Sequence, residues 1–80
     1  MGRLVYTTTN RTSETVQVSG VLVDPSAGSW VLVIENSAGN VVFSARGADA
    51  TTRHYPVDDD WVGANVTTAT NLTRAVIYTK

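Results

Sequence analysis

The chain contains no cysteine, so a disulfide framework and a thiolate zinc site, two common staples of a small fold, are both excluded. It has one histidine, His54. A general base there would need a positioned nucleophile and an orienting group. Ser13, Ser19, Ser26, Ser29, Ser37 and Ser44 all lie in ordinary turn or strand contexts, and none has the Gly-x-Ser-x-Gly elbow of a serine nucleophile. Charged residues make up only 16% of the chain, against about 25% in an average globular protein. Arg3, Arg11, Arg46, Arg53, Arg74 and Lys80 are scattered and balanced by seven acidic residues, so there is no basic stripe for nucleic acid. No apolar run approaches the roughly 18 residues of a membrane-spanning helix. Nor does an apolar core with a cleavage site follow Met1-Gly2-Arg3, so no secretory leader is read and folding in the cytoplasm is expected.

Eighty residues give one domain, 1–80. A chain of this length buries only about 60–65% of its unfolded surface, which leaves good packing and association with other chains as routes to stability. With a single lysine, the usual guard of exposed sheet edges, edge protection falls to short strands, arginines or neighbouring molecules.

What is present is strand-forming. Trp30-Val31-Leu32-Val33-Ile34 and Val41-Val42-Phe43 flank Ser37-Ala38-Gly39-Asn40, the pattern of a hairpin with a short loop. Side chains alternate along a strand, so Trp30, Leu32 and Ile34 point one way and Val31 and Val33 the other. Both faces of this strand are therefore apolar. Leu4 to Thr9 reads as a first strand, Asn10 to Ser13 as a polar turn, and Glu14 to Asp24 as a long second strand. In that strand Val16 and Val18 face inward until Gly20 breaks the parity. A glycine there predicts a bulge or bend, where a strand could pass between sheets.

Arg46 to Thr52 reads as a mobile loop, Arg53 to Val57 as a short edge strand containing Pro56, and Asp58-Asp59-Asp60 as a turn. A last hairpin is expected from Trp61–Thr68 and Leu72–Thr79 across Ala69-Thr70-Asn71. Apolar residues nowhere recur at helical spacing with caps. The expected fold is all-β: a single small antiparallel β-sandwich or barrel of six to seven strands with essentially no helix. Its last strand, running to Lys80, should belong to the packed body.

Three groups of residues are candidates for function. Asp58 and Asp60 share a side in an extended segment and are weak Ca²⁺ ligand candidates, but adjacent aspartates also commonly cap turns; no metal and no cofactor are expected. Trp30, Trp61 and Tyr55 could form an aromatic sugar platform, or could serve the core or an interface. Asn10-Arg11-Thr12, Asn65-Val66-Thr67 and Asn71-Leu72-Thr73 match the glycosylation pattern, which chance supplies readily in a threonine-rich chain.

One resemblance covers most of the chain. Its carriers are the opening Arg3-Leu4-Val5-Tyr6, the stretch Glu14 to Val23, Gly39-Asn40-Val41-Val42-Phe43, and the closing Leu72-Thr73-Arg74-Ala75-Val76-Ile77-Tyr78. In pattern and size these resemble the small β-sandwich virion proteins of tailed phages that decorate or cement the capsid or form head fibres. That resemblance implies a non-enzymatic structural protein located in the virion and made in the host cytoplasm. Its partners would be the major capsid protein, other virion subunits and further copies of itself, with no nucleic acid and no membrane. The residues expected at such an interface are Trp30, Val31, Val33, His54, Tyr55, Trp61 and Val62. The alternative is a carbohydrate- or cell-surface-binding module using loops 24–29, 46–52 and 57–61 on a rigid β scaffold.

Overall fold

The computed structural model describes the backbone of Arg3–Tyr6 and both backbone and side chains of residues 11–80. Six strands form: β1 (Arg3–Tyr6), β2 (Arg11–Pro25), β3 (Trp30–Glu35), β4 (Val41–Gly47), β5 (Arg53–Thr70) and β6 (Leu72–Thr79). Every pairing is antiparallel, and the order is β1-β6-β2-β5-β3-β4 in one sheet. Among the described residues there is no helix. The all-β expectation holds there, with six strands.

The sheet has two halves that share β5. Residues 53–64 of β5 pair with β2 in a four-strand half, with a bulge at Gly63, while residues 65–70 pair with β3 in a three-strand half that ends at β4. One core lies between the halves. Val16, Val18, Val21, Val23, Trp61, Ala75 and Ile77 come from the first, and Trp30, Leu32 and Ile34 from the second. β3 and β6 touch although two strands separate them in the order. Phe43 of β4 meets Tyr55 of β5 edge to face, with ring centroids 5.5 Å apart. The sheet therefore curls over its own apolar face, and burying that face drives the curl.

The central hairpin forms where the sequence placed it. Asn36 shapes its loop: its side-chain oxygen accepts from the backbone N–H of Ala38 and Asn40, both at 3.0 Å, and Gly39 supplies φ +85°. Gly20 also marks a register shift, against both β5 and β6.

Four expectations are corrected. The strand that changes partners is β5, which turns at Gly63 (φ +87°), and not β2 at Gly20. Asp58-Asp59-Asp60 runs through the middle of β5 instead of forming a turn. Arg11-Thr12-Ser13 belongs to β2, not to a polar turn, whereas Thr7 to Asn10 lie outside the described residues. β5 and β6 form no hairpin: β5 takes β2 and β3, while β6 takes β1 and β2. The single residue between them, Asn71 at φ +56°, makes a corner, since even the tightest common hairpin needs a two-residue loop.

The short edge strand expected at Arg53 to Val57 is the start of an 18-residue strand. It is nonetheless an edge. Among the described residues no strand pairs with the second side of 53–61, where Pro56 and the three aspartates discourage a chance partner.

Candidate functional site

Alternation divides each half into an inner and an outer side. In the four-strand half Tyr55, Val57 and Trp61 turn inward with Val21, Val23, Ala75 and Ile77. That leaves His54, Pro56, Asp58, Asp60 and Val62 outward on β5, Leu22 and Asp24 on β2, and Arg74, Val76 and Tyr78 on β6. Gly20 stands opposite both Pro56 and Tyr78. Lacking a side chain, it leaves a gap into which the His54 ring lies; a Cβ built on Gly20 would fall 2.6 Å from Nε2 of His54. Across the gap the His54 and Tyr78 rings sit 5.6 Å apart at 55°. Leu22 lies opposite both His54 and Val76. Val76 is buried without belonging to the central core, so this outer face carries a small packed cluster of its own. Beside it Asp24 accepts from the Thr52 hydroxyl at 3.1 Å and pairs with Arg74 at 3.4 Å.

Further along β5, the Lys80 ammonium crosses from the end of β6 to pair with Asp58, and it lies 3.8 Å from Asp60. The hydrogen bond from Lys80 holds the Asp58 carboxyl below its ordinary pKa, and the same bond raises that of Lys80. A lysine thus occupies the position where a cation would compensate these carboxylates. Among the described residues no group of three or more metal-ligating side chains gathers. Next to Lys80 a shallow open depression of about 360 Å³ is lined by Glu14, Thr15, Gln17 and Thr79.

On the three-strand half Val31 and Val33 stand on the outer side. Val31 lies between Arg46 and Thr70, and Val33 between Ser44 and Thr68. Both valines are half-buried. Thr67, bulged out of the β3–β5 ladder, donates its hydroxyl to the Val33 carbonyl at 3.4 Å.

The seven residues expected at an interface are therefore not brought together. Trp30 and Trp61 are sealed in the core, so neither ring offers a face to a sugar or a partner. Tyr55 turns inward to Phe43. His54 and Val62, the latter 55% exposed, share the outer side of one half, while Val31 and Val33 occupy that of the other. The Leu22–His54–Val76–Tyr78 cluster was not singled out from sequence. Its one signal was Gly20, whose meaning depends on which strands flank it.

At the end of the molecule holding Pro25, Trp30 and Asn71, the connections are tied together. Ser26 N–H donates to the Asn71 carbonyl at 2.8 Å, and the Asn71 amide donates to the Ser29 carbonyl at 2.6 Å. Ser29 holds φ +83° immediately before the buried Trp30. Loop 48–52 is organised by Asp49, which accepts from Thr51 N–H at 3.1 Å and pairs with Arg53 at 3.2 Å. These hydrogen bonds, that to the Thr51 backbone first, hold its carboxyl below the ordinary range. Of the three segments in the carbohydrate alternative, 57–61 is strand and not loop. No family model, curated protein or solved structure matches the chain.

Proposed function

We propose that this chain is a non-enzymatic structural subunit of a phage virion, decorating or cementing the capsid through protein–protein contacts. In this reading the two halves of the curled sheet act as the leaves of a minimal β-sandwich, and the outer side of the three-strand half meets the partner. The observation that carries it is Val31 and Val33 on a solvent-side strand surface, framed by Ser44, Thr68 and Thr70. Apolar area within a polar rim is a common composition for a protein contact. The phage assignment itself rests on the sequence resemblance. Its partners would be the major capsid protein, another virion subunit or a further copy of the chain.

Mass spectrometry of purified particles should find the protein, encoded beside genes for a capsid protein, portal or maturation protease. A Val33→Lys variant should fold with an unchanged melting temperature yet lose binding to assembled shells by tenfold or more. Equal binding by the variant and the parent would remove this face from the proposal. The second reading, a carbohydrate- or cell-surface-binding module, draws on the tied loops 26–29 and 48–52 and the backbone strain at Ser29. Binding of soluble glycans without binding to shells would favour it.

A further inference from the structure

Two free strand edges of the sheet are built differently. The second side of 53–61 on β5 carries Pro56, Asp58, Asp59 and Asp60, which deter a passing strand. β4 ends the strand order and, among the described residues, pairs only with β3, so its second side is free as well. It has none of those guards: Val41-Val42-Phe43-Ser44-Ala45-Arg46-Gly47 contains no proline, no lysine and no acidic residue. Its one irregularity is Val42, the residue skipped where Phe43 stands opposite Ile34 and Val41 opposite Glu35. From 43 to 47 the ladder to β3 is regular. Alternate backbone N–H and C=O groups of that stretch therefore point away from the sheet, with no described strand to meet them. A regular, weakly charged free edge is a template for another strand.

The charges beside this edge indicate which strand it takes. Opposite residues share a face, so Arg46, across from Val31, and Glu35 both stand on the outer side of the three-strand half. Glu35 is four residues beyond Val31 on β3, which separates it from Arg46 by about 13 Å along the strands. Among the described residues neither has an ion-pair partner. The β3–β4 hairpin thus carries a cation at one end of its outer side and an anion at the other. A two-fold axis beside β4 turns a second hairpin end for end, and each Arg46 then lies at the Glu35 end of the other copy.

We propose that β4 pairs antiparallel with β4 of a second copy of this chain, joining two three-strand halves into one continuous sheet. The contact is isologous, so both attractions between Arg46 and Glu35 form together. Phe43 and Ala45, half-buried at the margin of the core, gain a strand beside them. On the outer side Val31 and Val33 of the two copies become parts of one surface. Backbone pairing carries the contact and requires no capsid partner.

Sedimentation equilibrium of the intact chain tests the pairing. The parent should show a concentration-dependent equilibrium of monomer and dimer, and deuterium exchange at residues 43–47 should slow as the concentration rises. Arg46→Glu places like charges at both ends of the contact and should weaken dimerisation about tenfold. Adding Glu35→Arg reverses both charges and should restore the parent constant. The two side chains are too far apart to meet within one chain, so restoration reads a contact between copies. Ser44→Lys, at an exposed position in the middle of the strand, sets like charges facing each other near the axis and should give monomer. A parent that stays monomeric at high micromolar concentration would overturn the proposal. So would a dimer that Arg46→Glu leaves unchanged, or that the double variant fails to restore, or whose β4 amides exchange equally fast at every concentration. Val33→Lys should leave the dimer intact, so its loss of shell binding bears on the capsid reading alone.

Discussion

The two longest strands each break at a glycine, but for different reasons. In β5, Gly63 adopts φ +87°, and a Cβ there would fall 2.9 Å from both the Ser37 nitrogen and the Thr12 carbonyl oxygen. Three residues of β2 bulge opposite it, and Ser37 N–H donates to the Val62 carbonyl at 2.8 Å, docking the β3–β4 loop onto the turn. The three atoms nearest to that Cβ, on Ser37, Thr12 and Arg11, are all backbone and cannot step aside. In β2, Gly20 needs no unusual φ; its space is taken by the exposed side chain of His54. The first break redirects a strand from one half of the sheet to the other. The second is a local bulge with a ring laid over it.

Substitution should separate the two. Gly63→Ala combines a left-handed φ with contacts against fixed backbone and should cost about 3 kcal/mol. An 80-residue domain has only about 4–12 kcal/mol in total. Urea unfolding would measure the loss, and a cost under about 1 kcal/mol would show that the turn can relax. Gly20→Ala should cost about 1 kcal/mol, because His54 can rotate off the sheet at the expense of its packing on Tyr78. In a His54→Ala background that cost should disappear, and the double-mutant cycle reads the difference directly. A full cost persisting without His54 would place the constraint in the bulge itself.

The smallest effect belongs to the Lys80–Asp58 pair, which ties the end of β6 to the β5 edge. Asp58 is held below its ordinary pKa, so its contribution is present above that ordinary value and is lost as acid titrates it through the lowered one. Lys80 is raised, so its contribution is present below the ordinary ammonium value and is lost as pH rises through the raised one. The pair is thus engaged across neutral pH. Asp58→Asn should flatten both limbs of the Tm-against-pH curve, with less difference at high salt because both groups are exposed. Identical pH profiles for variant and parent would mean that the pair adds nothing.

Where alternation was strict, the residues were legible. Val16, Val18, Trp30, Leu32 and Ile34 face the core as their spacing required, and Ser37 to Asn40 turn as their composition required. Asp58 to Asp60 misled because aspartates that usually stop strands are tolerated on an open edge, where Lys80 and solvent meet them. Trp30 and Trp61 could be recognised as large strand aromatics, but not as fully enclosed ones. Their burial depends on the opposite half of the sheet closing over them.

Local chemistry therefore settled the class of this protein: alternating β-branched residues dictate strands, and the spacing of Asn and Gly dictates where the β3–β4 hairpin turns. Strand order, the change of partner at Gly63 and the separation of His54 and Val62 from Val31 and Val33 were decided only in three dimensions. The physical reason is that a strand's own sequence fixes which side chains share a face. Which strand lies beside it is fixed by long-range backbone pairing and by the single core that the two halves enclose.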